Sequence, residues 1–337
     1  MLILSLETSC DETACAVVED GVKEICSVVA SSKDFHKKTG GIVPEVAARK
    51  QVEFITPVVD QTFKQLSEKG YKREDIDAIG VTTGPGLIGS LIVGIEAAKA
   101  LSLALGKPLI PVNHLLGHIY ANFIDNKTEV KFPAVVLVVS GGHTDLVLMK
   151  NHGEFEFLGG TLDDASGEAF DKVARLLGLS KYLGGRVLSE TAATCKENTI
   201  EGRLPRPMID TDNYDFSFSG LKTAVRRIVE KENLPVEVVA REFENAVVDV
   251  LIKKTSRAVR ETGAKSLLLG GGVAANSNLR KKMDEEAKKL RVDLHIPPVR
   301  LCTDNAVVIG STAYFNQVEK PLSEIQPNPS LGIMDLV

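Results

Sequence analysis

His114 and His118, in PVNHLLGHIYA, are spaced to chelate a single ion. Four residues apart on a helix, they fall one turn apart on one face, where two neutral imidazoles can reach the same metal. Zinc peptidases use this spacing with a glutamate directly after the first histidine as general base. Here that position is Leu115, and HLLGH contains no acid, so peptidase chemistry is disfavoured. A third ligand has to come from elsewhere. Asp304, in CTDN at an expected strand-to-helix junction, can be that ligand or can cap the helix that follows.

Other polar residues gather at turns. ETSCDET puts Asp11 and Glu12 in a hairpin turn just after Glu7 and Thr8. Carboxylates in such a place either form the turn or point into a cleft as a general base or steering group. In VSGGHTD, Ser140 precedes Gly141 and Gly142 without the G-x-S-x-G elbow of a serine nucleophile. The run is better suited to cradling a phosphate or carbonyl by its backbone, with His143 as a local hydrogen-bonding residue. TLDDASGEAFDKVARLLG places Asp163 and Asp164 where they would cap a helix, while Asp171, further in, can accept hydrogen bonds from ligand hydroxyls. In LGGGVAANSNLR, Gly270 to Gly272 permit close approach, and Asn276 offers a donor and an acceptor to an adenine or ribose.

The elements that must position these residues alternate short apolar strands with longer amphipathic helices, the pattern of an α/β fold. LILSL, ACAVV and EICSVVAS read as strands, followed by a helix over 44–68; AIGVTT then leads through GPG into a helix over 87–105. From residue 133 the order restarts with PAVVLVVS, LVLMK, FEFLGG and a helix in GEAFDKVARLLG. SLLLGGG is a later strand, before a helix in NSNLRKKMDEEAKKL with Asn276 or Ser277 as N-cap. The recurrence predicts two duplicated α/β subdomains around a central cleft: residues 1–130, completed by about 304–337, and residues 131–303. No Walker A sequence is present to explain the glycines.

The composition is that of an ordinary globular chain: 337 residues, 44% hydrophobic, 25% charged, with a formal net charge of −5. That balance gives no overall electrostatic footprint for nucleic acid, although KTAVRRIVEK and LRKKMDEEAKKLR could form local basic patches or solvated helix faces. Five cysteines without C-x-x-C pairing read as reduced thiols. The polar turn soon after MLILSLE marks a first strand rather than a leader, and LIGSLIVGIEAAKALSLALG is interrupted by Glu96 and Lys99, unlike a membrane span. A cytoplasmic location is expected.

Taken together, ETSCDETACAVV, GGIVPEVAARKQ, TTGPGLIGSL, NHLLGH, VVSGGHTDL, LDDASGEAFDKVARLLGL, FSFSGLKTAV, LGGGVAANSNLR and CTDNAVVIG resemble, in order from residue 1 to about 315, the bacterial-type tRNA N6-adenosine threonylcarbamoyltransferase family, once labelled O-sialoglycoprotein endopeptidases. The resemblance implies an actin-like ATPase (ASKHA) fold. It implies transfer of a threonylcarbamoyl group from threonylcarbamoyl-adenylate to N6 of adenosine 37, forming t6A, in tRNAs reading codons that begin with A. It implies one divalent metal, iron or zinc, at His114, His118 and Asp304, and substrate contacts at Val138, Val139, Ser140, Gly141, Gly142, Asp171, a glycine of the pair Gly184 and Gly185, and Asn276. ATP, ADP or AMP could also occupy the cleft. The implied partners are tRNA, a shorter paralogous subunit (TsaB-like) forming a heterodimer, a small ATPase (TsaE-like), and an upstream threonylcarbamoyl-AMP synthase. Asp11 is the candidate for assisting proton loss from N6, with Glu12 second.

The chain departs from the family pattern in SKYLGGRV, where Leu183 and Arg186 stand in place of the prolines of GYPGGP with one extra residue, and at Leu116, where many members carry an acid. The alternative reading is a nucleotide-binding scaffold or ATPase subunit of a tRNA-modification complex on the same fold.

Overall fold

The structure, a computed structural model, describes residues 1–126 and 128–335. The first elements are β1 (Leu2–Glu7), β2 (Glu12–Glu19), β3 (Lys23–Ser31), α1 (Lys33–Thr39), α2 (Pro44–Glu68), β4 (Ala78–Gly84), α3 (Ile88–Leu105), β5 (Leu109–Asn113) and α4 (His114–Tyr120). There follow β6 (Ala134–Val139), β7 (Thr144–Asn151), β8 (Glu154–Gly160), α5 (Ser166–Leu176), α6 (Gly185–Thr194), α7 (Ser219–Lys231) and α8 (Val236–Thr262). The last are β9 (Ser266–Gly270), α9 (Ser277–Leu290), β10 (Asp293–His295), α10 (Val299–Cys302) and α11 (Ala306–Phe315). The chain divides into two compact units, Met1–Glu129 with Thr303–Val337, and Val130–Cys302.

Each unit is built on a five-stranded sheet, ordered β3-β2-β1-β4-β5 in the first and β10-β9-β6-β7-β8 in the second. Read from its own first strand, each sheet has one plan. The first three strands form an antiparallel meander, and the fourth and fifth join the first strand's free edge in parallel. A parallel strand covered on both faces is apolar along its whole length, which is why β1 and β6 read as unbroken apolar runs.

Period-two alternation along β1 decides what meets what in the first unit. Leu2, Leu4 and Leu6 join the core that holds Leu66 of α2 and Leu91 and Ile95 of α3. Ser5 faces the other side, where its Oγ donates to the carbonyl of Ala306 at the start of α11, 2.6 Å away. Glu7 shares that face, so the strand delivers a carboxylate toward α4 and the segment leading into α11.

By length and composition α3 could cross a bilayer, the one such helix among the described residues. It packs instead against α2 and β4, burying Ser90, Leu91, Gly94, Ile95, Ala98 and Ser102, and it pairs Lys99 with Glu96 at 2.9 Å. It is a core helix of its unit.

Candidate functional site

In the first unit the structure brings together five of the residues singled out from sequence. Asn113 ends β5 and caps α4, its side chain accepting from the amide of Leu115 at 3.0 Å. This cap starts the helix at His114, so His114 and His118 project from consecutive turns, their rings 4.7 Å apart and edge to face. Asp304 Oδ1 lies 3.5 Å from His114 Nε2 and 3.9 Å from His118 Nε2. Ligands about 2 Å from one ion are separated by about 3–4 Å, so this set fits a metal with little adjustment. Asp11 and Glu12 adjoin it, since one carboxylate oxygen from each of Asp11, Glu12 and Asp304 lies within 4.8 Å of the others.

Capping does not account for Asp304. No strand precedes it: α10 ends at Cys302, two residues earlier, and α11 is capped by Asn305, whose Oδ1 accepts from the amide of Val308 at 3.2 Å. The expected strand-to-helix junction is a helix-to-helix junction, and the neighbouring asparagine does the capping. Asp304 is left aimed at the histidines.

Sequence reasoning passed over Glu7. Its Oε2 accepts from the Thr82 hydroxyl at 2.6 Å and meets His114 Nδ1 at 2.9 Å, and its Oε1 accepts from the amide of Ser9. A carboxylate on one ring nitrogen fixes the tautomer that offers the other nitrogen to a metal. The support expected from an acid at position 116, where this chain has Leu116, thus comes from the end of β1. The available signal was an acid closing an otherwise apolar strand.

The charges in this group are interdependent. Burial works against the charge on His114, but Glu7 and Asp304 on either side hold it well above the usual imidazole range. Burial likewise opposes ionisation of Glu7 and Asp304, and His114 outweighs it, leaving both carboxyls lowered, Asp304 strongly so. Burial pushes Glu12 up to about 9, with Asp304 and Asp11 adding to the effect, against the pull of the Lys33 ammonium paired with it. Four carboxyl groups therefore crowd one lysine and two imidazoles, and a divalent cation held there would favour the ionised form of all four, Glu12 included.

In the second unit, Val138 and Val139 end β6 fully buried, and Ser140 to His143 form a closed turn: the Ser140 amide donates to the His143 carbonyl at 2.9 Å and the His143 amide to Ser140 Oγ at 3.2 Å. Ser140 Oγ is thus a turn acceptor. Gly141 and Gly142 are exposed, with open space where a side chain would stand. Behind the strand end, Gly271 takes φ +90°, and a Cβ there would come within 2.3 Å of the Val139 carbonyl. Only glycine lets β9 turn so close.

Asp171 accepts from the amide of Gly185 at 2.9 Å, tying α5 to the start of α6, and burial holds its carboxyl above the usual range despite that bond. Of the glycine pair, Gly184 packs on α5, where a Cβ would sit 2.3 Å from that of Ala174, whereas Gly185 has ordinary clearance. Leu183 adopts φ +49°. A proline, held near −65°, cannot take that conformation, which agrees with its absence from this position.

Two expectations are revised in this unit. Asp163 does not cap α5: its carboxylate accepts from the hydroxyls of Ser217 and Ser219 at 2.6 and 2.7 Å and from the amide of Phe218 at 2.8 Å, capping α7 from more than 50 residues away. Asp164 pairs with Lys172 at 2.6 Å. Asn276 is the N-cap of α9, accepting from Leu279 at 2.8 Å, while its Nδ2 donates to Glu244 and Ser189 at 2.7 and 2.8 Å. Both hydrogens of the amide are engaged within the unit, so donation to a ligand by Asn276 requires exchanging one of these bonds, whereas Oδ1 keeps one lone pair.

Asp145 went unnoticed in the sequence. It pairs in register with Val138, is half-buried, and makes no side-chain hydrogen bond or ion pair among the described residues. Burial pushes its carboxyl up to about 6. The folded state therefore keeps a proton that the unfolded chain, with an ordinary carboxyl near 3.8, gives up. The resulting penalty is absent below pH 4, grows between pH 4 and 6, and is constant above. Asp145→Asn should raise thermal stability at pH 7.5, by at most about 3 kcal/mol, with no gain near pH 3.5; parallel melts at the two pH values check this.

Comparison with known proteins agrees with this layout. The chain matches, over 94% of its length, the crystal structure of T. kodakarensis HypF with a TM-score of 0.66 at 14% identity, spanning about half (48%) of that protein. It also matches the Acidaminococcus fermentans (R)-2-hydroxyglutaryl-CoA dehydratase component A, TM-score 0.53 at 14% identity, covering 93% of this chain and 98% of that one. These likenesses define the fold as the actin-like ATPase class, here carrying a His-His-Asp cluster beside two turn carboxylates.

The family model for TsaD, tRNA N6-adenosine threonylcarbamoyltransferase, matches residues 23–311. Proteins of that name from Thermosipho africanus and Halalkalibacterium halodurans are 49% and 48% identical, over 93% and 98% of this chain and 94% and 96% of theirs. The chain belongs to the tRNA N6-adenosine threonylcarbamoyltransferase family, a family of tRNA-modifying transferases.

Proposed function

We propose that this protein transfers the threonylcarbamoyl group of threonylcarbamoyl-adenylate to N6 of adenosine 37 in tRNAs reading ANN codons, forming t6A. The observation that carries the reading is the convergence of His114, His118 and Asp304 with Asp11 and Glu12. A divalent ion, iron or zinc, held by the first three would act there as a Lewis acid, neutralising charge on donor oxygens.

The transfer breaks the bond between the carbamoyl carbon and the phosphate oxygen, forms the bond from N6 to that carbon, and releases AMP. Because AMP is a good leaving group, the chain's tasks are orientation, charge neutralisation and water exclusion. Asp11 takes the proton that N6 loses. Glu12, anchored by Lys33, holds the adjoining side of the turn. The resemblance further implies substrate contacts at the strand end Val138 to Gly142, where the backbone of Gly141 and Gly142 is exposed, and at Asp171, the Gly184–Gly185 pair and Asn276.

Two surfaces support the proposed partners. On α7, Lys222, Arg226, Arg227 and Lys231 make no ion pair among the described residues, and all but Lys222 are exposed; their charge suits tRNA phosphates. On the first unit, Ile88 and Ile92 of α3 and Val52 of α2 are exposed on adjacent helices, an apolar face suited to the shorter paralogue. A small ATPase, the upstream synthase and a cytoplasmic location complete the proposal.

The test supplies unmodified tRNA, threonylcarbamoyl-adenylate, ATP and the paralogous subunit to the metal-loaded protein. Appearance of t6A is expected; nucleotide turnover alone would mean an ATPase, and neither product a scaffold. In the same preparation, Arg226→Glu with Arg227→Glu should weaken tRNA binding and flatten the dependence of log K on log salt by roughly 1.5. An unchanged slope would remove α7 from the RNA surface.

A further inference from the structure

The turn between β1 and β2 has every carbonyl from Thr8 to Glu12 pinned by another element. Gln51, on the inner face of α2, is fully buried, and its Nε2 shares its two hydrogens among three of them: Thr8 at 3.1 Å, Cys10 at 2.8 Å and Glu12 at 3.1 Å. The Leu87 amide donates to Ser9 at 2.7 Å, and the amide and hydroxyl of Ser32 both donate to Asp11, at 2.8 and 3.0 Å. Ser90 Oγ adds a longer bond to Cys10 at 3.4 Å.

The amide orientation follows from chemistry. Reversed, Gln51 would set its oxygen against three acceptor oxygens, so the nitrogen must face the turn. As a result Oε1 is buried with no hydrogen-bond partner. Leaving a buried acceptor unsatisfied costs free energy, and that cost is accepted here in exchange for a donor to the Thr8, Cys10 and Glu12 carbonyls. The side chain's distinctive contribution is its grip on the turn.

We propose that Gln51 is a positioning residue for the transfer: it fixes the backbone of the β1–β2 turn so that Asp11 and Glu12 meet the reacting groups beside Asp304. With the Asp11 carbonyl bound by Ser32 ahead of α1 and the Glu12 carbonyl by Gln51 of α2, the backbone that carries the two carboxylates is held in place. This rests on the reading that the turn carboxylates serve the reaction.

The experiment compares Gln51→Met and Gln51→Glu with wild type and with Asp11→Ala in the metal-loaded complex, measuring kcat, KM for tRNA, metal content and hydrogen exchange at residues 9–12. Gln51→Met keeps length and volume but removes the donor; Gln51→Glu puts acceptors against acceptors. A displacement near 1 Å at reacting groups costs about 100-fold. The expected result is kcat lowered by about 10- to 100-fold in both variants, KM within about threefold, metal content at the wild-type level and faster exchange in the turn.

Lowered thermal stability with wild-type kcat would make Gln51 a packing residue only and overturn the proposal. If Asp11→Ala is fully active, the catalytic reading of the turn falls; if Asp11→Ala is inactive while Gln51→Met is fully active, the clamp alone falls. Should neither glutamine variant fold, exchange in the wild-type complex decides: protection at residues 9–12 comparable to β1 supports the clamp, and exchange as fast as in an exposed loop overturns it.

Discussion

His118→Ala is expected to purify with roughly a tenth of an equivalent of metal or less and to form t6A about 1000-fold more slowly than the wild-type protein. Two ligands remain after the substitution, and a catalytic site needs three protein ligands to keep an ion against competing buffer and water. A Lewis acid contributes several kcal/mol to a transition state that builds charge, and about 4 kcal/mol corresponds to the expected loss of rate. His118 is almost fully buried, so the variant's fold has to be verified; Asp304→Asn, at a more exposed position, gives the same readout with less disturbance to packing. His143→Ala is the control. It removes an imidazole from the other unit, outside the cluster, and should leave metal content unchanged. Stoichiometric metal in His118→Ala would mean that the histidine pair is not the anchor. Glu7→Gln, which keeps the shape of the group on His114 Nδ1 but weakens its hold on the tautomer, should fall between, losing about 10- to 100-fold in metal affinity.

How much of this was legible in the sequence depended on the range of the interaction involved. The strands were readable because central parallel strands are buried on both faces, so β1 and β6 declare themselves as apolar runs. The same is true of α2, whose bounds at Pro44 and Glu68 follow from a proline in the first turn and a long amphipathic repeat. His114 and His118 were visible because their relation is local, one turn of one helix. Glu7 was not, since its role exists only once β1 and α4 are side by side, 107 residues apart in sequence. Asp163 misled for the converse reason: an acid just before a helix is ordinarily its own helix's cap, and nothing local shows that it reaches α7 instead. Gln51 looked like a polar residue in an amphipathic helix, and only the folded turn reveals three carbonyls waiting for one amide. Local rules thus gave the elements and two of the three residues of the metal cluster. The groups that orient that cluster are long-range polar contacts, which carry no periodicity.

Asp11→Asn is expected to lower kcat for transfer by about 100- to 10,000-fold, the range for losing a positioned general base, while metal content and KM for tRNA stay near wild type. The argument is geometric. Asp11 lies in the turn whose carbonyls are bound behind it, and its carboxylate comes within 4.8 Å of those of Glu12 and Asp304 without belonging to the His-His-Asp set. A base in that position can reach a proton on a nucleophile attacking a donor held by the neighbouring ligands, whereas Glu12 is already anchored by Lys33. The asparagine keeps the side chain's size and its capacity to form the turn, so a loss of rate reports on proton acceptance rather than on folding. Glu12→Gln, which releases Lys33 but leaves the base in place, should cost less. The measurement is single-turnover formation of t6A with purified threonylcarbamoyl-adenylate, which separates the chemical step from product release. Equal losses in Asp11→Asn and Glu12→Gln would show the pair acting as one electrostatic unit, and full activity in Asp11→Asn would move the proton acceptor off the turn altogether.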